Sequence, residues 1–426
     1  MASSQVNAVV ACGSQGHVLL IEHEMMRRLW LAFTISVLSY AQDLGTGQFP
    51  LMAWDFVDDP KILQLIHDAG VNSVAFVRPK TLDACQRIGL KCVVFDERLA
   101  GEVWSKPFNG NEFRRNLAAI VKEVNGNPAV YGYHIKDEPN AKDFPELAKA
   151  VAAVKELAPG KWPYINLFPG QGEPYDKYVE DFVKICAPTA LSYDRYSVIG
   201  EKGSGDFDPA FWANLAQMRD HALEHKLPMW NIVLTSPHWR FRELTADDIR
   251  LQVWGSLVHG VKGIAYYKFI SREVPILHAD DLGNFRDGPL DQFFEKTPTW
   301  DWLRNMDRQV EKLAPFLLKL HSDDVYHIGM VPRHNHSPTE KSLIQDMPNG
   351  DMPDADFVVG EFTHEDGRRF VMVVNKSLKR SVHCTPVFRP GVKSVKYVSP
   401  ITGELKPFVA RFYWLAPGQG VLLEVE

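Results

Sequence analysis

The sequence predicts an α/β protein: a (β/α)8 TIM barrel followed by a C-terminal antiparallel β-sandwich. From residue 49 onward, short apolar runs alternate with segments of helical apolar spacing, the signature of β/α units that build a parallel sheet. No G-x-G-x-x-G follows the first run and no Walker pattern occurs anywhere, which removes the usual nucleotide-binding sheets. Beyond residue 320 the helical spacing stops, and strand-like runs alternate with Gly, Pro and Asp turns.

Eight runs supply the barrel strands: FPLMAWDF (49–56), VNSVAFV (71–77), LKCVVFD (90–96), AVYGYHI (129–135), WPYINLF (162–168), ALSYDRY (190–196), PMWNIVL (228–234) and KGIAYYKF (262–269). Helical spacing falls between them at 60–69, 113–124, 145–157, 175–185, 211–225 and 246–259. Eight strands with intervening helices suit a closed barrel over 46–320 better than an open doubly wound sheet. In 321–426 the strands are FVVGEF (357–362), RFVMVVN (369–375), SVKYVS (394–399) and QGVLLEVE (419–426), and 334–356 reads as a long exposed loop.

The 426 residues carry 47 Lys plus Arg against 53 Asp plus Glu, a formal charge of -6, which disfavours a nucleic-acid partner. Eleven Trp, 13 Tyr and 24 Phe supply flat apolar faces that pack cores and also stack on ligand rings. The five cysteines form no C-x-x-C pair and no metal-ligand spacing with His, so neither a metal nor a cofactor is expected.

Residues 1–41 read as a leader. Within 25–41, Arg27 and Arg28 precede the apolar stretch 29–38, and the small Ser39 and Ala41 flank Tyr40, the order of a secretory signal. The stretch is short for a bilayer span, so the expectation is export to the periplasm or beyond, with no membrane span after cleavage at Ala41. A start at Met25 or Met26 accounts for the residues before it; a buried or anchoring helix is the other reading.

Active sites of such barrels lie at the C-terminal ends of the strands, so polar residues there carry most weight. Strand four ends in Asp137 and Glu138, with Pro139 turning the chain away. Paired carboxyls in a cleft hold different protonation states, which suits Glu138 to act as a general acid; capping the next helix is the plainer role. Strand six offers Asp194 and Tyr196. Asp194 is the best second carboxylate, since glycoside hydrolysis takes a carboxyl on each side of the bond; binding hydroxyls or fixing a neighbouring base is its alternative.

Further strand-end groups are Trp54, Asp55, Asp96, Glu97, His134, Asn166, Asn231, His238, Tyr267 and Lys268. Together with Tyr196 they suggest a polar cleft with stacking platforms, suited to a pyranose ring. Lys268 is expected to pair with a carboxylate rather than to form a Schiff base.

The runs AVYGYHIKDEPNAKDFPELA, YINLFPG, LSYDRYSV and LTADDIRLQVWGSLVHGVKGIAYYKF, with FVVGEF, GRRFVMVVNKSL and LAPGQGVLLEVE, resemble bacterial (β/α)8 glycoside hydrolases of the large clan of retaining barrels that includes the β-galactosidases. The resemblance implies that Glu138 stands where the acid/base sits and that the C-terminal module is an accessory sandwich. Two features depart from the pattern: Asp137 replaces the usual Asn, and PMWNIVLTSPHW contains no carboxylate where strand seven should end in the nucleophile.

The expected function is therefore an exported glycosidase with Glu138 as acid/base and Asp194 or Asp137 as second carboxylate. The alternative is a carbohydrate-binding protein on a degenerate barrel.

Overall fold

The computed structural model describes residues 47–99, 107–124, 126–271, 278–349, 352 and 355–426; the leader and its signal-like segment lie outside the described residues. Strands β1 (Leu51–Trp54), β2 (Ser73–Val77), β3 (Lys91–Val94), β4 (Val130–Asp137), β5 (Trp162–Asn166), β6 (Leu191–Asp194), β7 (Met229–Leu234) and β8 (Gly263–Tyr267) form a parallel sheet in the order β5-β4-β3-β2-β1-β8-β7-β6. Its two ends meet through a parallel bridge between Leu167 and Tyr193, where the Leu167 amide donates to the Ser192 carbonyl at 2.8 Å, so the sheet closes. Each of the eight expected runs coincides with one of these strands, β4 running two residues beyond its run to Asp137.

The helices are α1 (Pro60–Asp68), α2 (Leu82–Ile88), α3 (Gly110–Glu123), α4 (Phe144–Leu157), α5 (Glu173–Cys186), α6 (Ala210–Glu224), α7 (Ala246–Val258) and α8 (Pro298–Leu317). Local chemistry fixes their starts. Asp59 accepts from the Lys61 amide ahead of α1 with Pro60 in its first turn, and Thr245 with Asp248 forms a reciprocal capping box on α7. Helices α2 and α8 add to the six segments named from spacing. Helix α2 is only seven residues long, too short to display a full apolar period.

Inside the barrel, Met52, Phe76, Val93, Tyr131, Trp162, Tyr164, Trp230 and Ile232 form a buried cluster. Trp162 and Trp230 lie with ring centroids 4.8 Å apart, and Tyr131 packs against both. Gly263 makes room for this layer, since a Cβ there would overlap the Trp230 ring. The interior is thus a packed core rather than a pore.

The C-terminal region is built from β9 (Leu320–Ile328), β10 (Ile344–Asp346), β11 (Phe357–His364), β12 (Arg369–Asn375), β13 (Val382–His383), β14 (Val387–Phe388), β15 (Val395–Val398), β16 (Leu405–Pro407), β17 (Trp414–Leu415) and β18 (Gly420–Val425). Six strands make an antiparallel sheet in the order β16-β15-β18-β12-β11-β9. Its two faces follow from the period of two along β12. Phe370, Met372 and Val374 join the barrel core together with Trp254 of α7, while Val371 and Val373 join a second core with Leu343, Ile344, Val382 and Leu415. Burying one such side chain contributes about 1.5–3 kcal/mol.

The outer layer of this module is two short pairs, β10–β14 and β13–β17, rather than one continuous second sheet. The expected exposed loop over 334–356 is corrected in part: Ser342, Leu343, Ile344 and Met347 are buried because they cover the outer face of the large sheet. Among the described residues no helix is long and apolar enough to cross a membrane.

Candidate active site

Two strand ends bring three carboxyl groups to one corner of the rim. Asp137 ends β4, Glu138 follows it, and Asp194 ends β6. Asn166, the last residue of β5, lies between them. Its amide donates to Asp194 Oδ1 at 2.8 Å and to Asp137 Oδ1 at 3.2 Å, while its own oxygen accepts from Ser192 Oγ at 3.0 Å. The parity along β6 explains this, since Ser192 and Asp194 both reach Asn166 whereas Tyr193 is buried in the outer core.

Glu138 adopts a left-handed backbone, with φ of 43°. For a residue with a Cβ this costs about 1–2 kcal/mol, and such positions gather at functional sites. The conformation is held from both sides: the Glu138 amide donates to the Asn166 carbonyl at 2.9 Å, and Tyr178 Oη donates to the Pro139 carbonyl at 2.8 Å.

The electrostatics follow from the crowding. Burial, and then the charge of Asp137, push the Glu138 carboxyl up to about 7. Burial, then the charges of Glu138 and Asp137, raise Asp194 well above the usual carboxylate range, against the lowering effect of the Asn166 hydrogen bond. Three carboxyls share one partly dry corner, so each charge raises its neighbours' proton affinity. A general acid protonated near neutral pH is the chemistry such a corner supplies.

Aromatic rings form a wall on the β8, β1 and β6 side. Tyr196 stacks on Tyr267 at 5.2 Å, and Trp54 meets Tyr267 edge-on at 5.3 Å. Trp54 Nε1 donates to Tyr164 Oη at 2.8 Å, which fixes the indole. Burial and the nearby Asp194 raise the Tyr196 phenol, so it stays protonated and can donate.

His238 stacks on Phe285 at 4.6 Å and meets Tyr196 and Tyr267 edge-on. Its Nδ1 donates to the Ser236 carbonyl at 2.9 Å, and burial lowers its pKa to about 4, so the ring is neutral with Nε2 as an acceptor. His134 is buried against Phe76, at 4.4 Å, and Tyr164.

Other sequence-derived residues lie elsewhere. The Asn231 amide donates to Ser256 Oγ of α7 at 2.9 Å, in keeping with its parity opposite to the interior-facing Trp230 and Ile232. Asp96 is held by Arg98 through two bonds of 2.7 Å, and Glu97 accepts from Arg78 Nε at 2.8 Å, so both carboxylates are committed to arginines. Lys268 pairs with Asp55, whose other oxygen accepts from the Ile270 amide at 2.9 Å.

At the end of β7, Thr235 Oγ1 donates to the Lys268 carbonyl at 3.1 Å and Ser236 Oγ to the Arg286 carbonyl at 2.9 Å. Glu243, further along, is held by Arg286 at 2.8 Å. Sequence reasoning missed Tyr164 and Phe285 as parts of the wall. Tyr164 was accessible through its period-two relation to Asn166 on β5, but Phe285 lies in an irregular segment with no pattern to mark it.

No protein-family model matches the chain, and no curated protein does. Solved structures similar to it include glycoside hydrolases. A β-galactosidase from Marinomonas ef1 is 12% identical with a TM-score of 0.48, covering 64% of this chain and 62% of its own. A GH5_18 protein from Bifidobacterium longum is 11% identical with a TM-score of 0.49, over 61% of this chain and 79% of its own. A β-glucuronidase from Ruminococcus gnavus is 10% identical with a TM-score of 0.45, over 61% of this chain and 50% of its own.

Proposed function

We propose that this protein is a glycoside hydrolase that cleaves O-glycosidic bonds of an oligosaccharide or glycan. The observation that carries the reading is the carboxyl corner itself: Glu138, raised to about 7, beside Asp137 and Asp194 and facing an aromatic wall. In this reading Glu138 protonates the leaving oxygen and Asp194 supplies the second carboxylate at the anomeric centre. Tyr267, Tyr196 and Trp54 offer apolar faces to a sugar ring, and His238 Nε2 accepts from a hydroxyl. Asp137 tunes Glu138 through its charge, and Asn166 positions both aspartates. Export through a leader ending near Ala41 belongs to the same proposal, and the N-terminal sequence of the mature protein checks it.

A second reading has one specific observation in its favour. With Thr235 and Ser236 at the end of β7 and Glu243 tied to Arg286, the described residues place no carboxylate where retaining barrels keep their nucleophile. That arrangement suits a carbohydrate-binding protein. A panel of aryl glycosides and glycans, with product anomers followed by NMR, separates the two. Sugar release by the wild type that is lost in Glu138→Gln and Asp194→Asn supports the hydrolase; glycan binding without release supports the binding protein.

A further inference from the structure

Away from the carboxyl corner, α5 and α6 face each other across a group of side chains with the chemistry of a metal site. Residues 221–225 read HALEH, which places His221 and His225 one turn apart on the same face of α6, with Glu224 beside them. Glu180 of α5 faces this group. One donor atom from each of Glu180, His221, Glu224 and His225 lies within 4.8 Å of all the others. His225 Nε2 is 2.7 Å from Glu180 Oε2, and His221 Nδ1 is 3.7 Å from the same oxygen. Tetrahedral zinc, with ligands at about 2.0–2.1 Å, separates its donors by about 3.3–3.4 Å, which falls between these two distances.

A second observation points to a ligand. His221 is only 8% exposed, and its Nε2 lies 3.3 Å from Asp176 Oδ1. An ionised carboxylate only accepts, so Nε2 carries the proton. Asp176 is itself fixed by the Gln217 amide at 2.9 Å. His221 Nδ1 is buried with no hydrogen-bond partner and faces the Glu180 carboxylate. A shared proton does not resolve this contact, because 3.7 Å is too long for a hydrogen bond.

A cation between the two groups does resolve it, and the carboxylate–histidine–metal order of Asp176, His221 and the cation is the usual support of a metal-bound imidazole. Lys184 engages the other Glu180 oxygen, Oε1, at 2.8 Å, so Oε2 is the oxygen that faces both histidines.

We propose that Glu180, His221, Glu224 and His225 form a structural zinc site that ties α5 to α6. Four protein ligands leave no open position, which makes the site a staple rather than a second catalytic centre.

The test uses the full chain without a histidine tag, dialysed against EDTA and titrated with Zn2+ by calorimetry, with Co2+ as a spectroscopic probe. One Zn2+ per chain with a micromolar or tighter Kd is expected, together with a higher unfolding temperature and the strong visible bands of tetrahedral Co2+. Glu180→Gln and His225→Gln, both at partly exposed positions, should each weaken Zn2+ binding at least about tenfold and lose the Co2+ bands while keeping the circular dichroism of the wild type. Absence of stoichiometric binding at about 100 μM Zn2+, or variants that bind as tightly as the wild type, overturns the proposal.

Discussion

Replacing Glu138 with Gln should change stability by an amount that grows with pH. Burial and the Asp137 charge raise this carboxyl from 4.5 to about 7. A carboxyl raised in the folded state binds more protons there than in the unfolded chain. Its contribution to stability is therefore full below about 4.5 and is lost as pH rises through about 7. At 1.36 kcal/mol per pH unit the loss is about 0.8 kcal/mol at pH 5 and about 3.4 kcal/mol at pH 8. Partial solvent access to Glu138 screens this, so the difference of about 2.5 kcal/mol shrinks to about 1–2 kcal/mol.

Gln carries no charge and escapes the loss. Relative to the wild type, Glu138→Gln should thus gain about 1–2 kcal/mol more at pH 8 than at pH 5. Asp194, raised by burial and by Glu138, adds to the trend in the same direction, because removing the Glu138 charge also relieves it. Urea unfolding followed by tryptophan fluorescence at the two pH values measures the difference. A stability change that is the same at both, or larger at pH 5, would refute the reasoning about the carboxyl corner.

Other outcomes follow from the same geometry. With a substrate in hand, kcat/KM of the wild type should fall about tenfold per pH unit above about 7, and Asp137→Asn should move that limb to lower pH by removing a neighbouring charge. Asn231→Ala should leave activity within about twofold while costing about 1–2 kcal/mol, since it breaks a bond to α7 and not one in the cleft; a large kcat loss at unchanged stability would restore Asn231 to the site. Lys268→Met leaves the buried Asp55 carboxylate without its cation and should cost about 3–5 kcal/mol in chemical denaturation, a loss that a solvated pair would not give. Borohydride with substrate should not inactivate the wild type, whereas a Schiff base on Lys268 would make it do so.

The barrel was legible because its strands are nearly continuous apolar runs bounded by turns, and each run forms the strand expected of it. The C-terminal large sheet was legible in part. Its strand β9 begins LHSDDV, where exposed polar residues mask the period of two, and the residues covering its outer face sit among Pro and Asp that read as loop. At the site, strand-end position alone brought Asp137, Glu138 and Asp194 to attention, and the fold places them in one corner. Asn231 shows where position is insufficient. It lies on β7 with the parity opposite to the interior-facing Trp230 and Ile232, and its amide reaches α7. The partners of Asp96 and Glu97 were harder to read, because Arg78, which holds Glu97, comes from another loop and Arg98, which holds Asp96, lies two residues beyond it.

The most direct test of Glu138 as the proton donor compares two leaving groups. A dinitrophenyl glycoside departs without protonation, whereas an alkyl glycoside of the same sugar requires it. Glu138→Gln should lose about 10²–10⁴-fold in the glycosidic bond-cleavage step on the alkyl glycoside and retain most of that rate on the dinitrophenyl one. Equal losses on both, or no loss on either, would contradict the assignment of Glu138 as the acid.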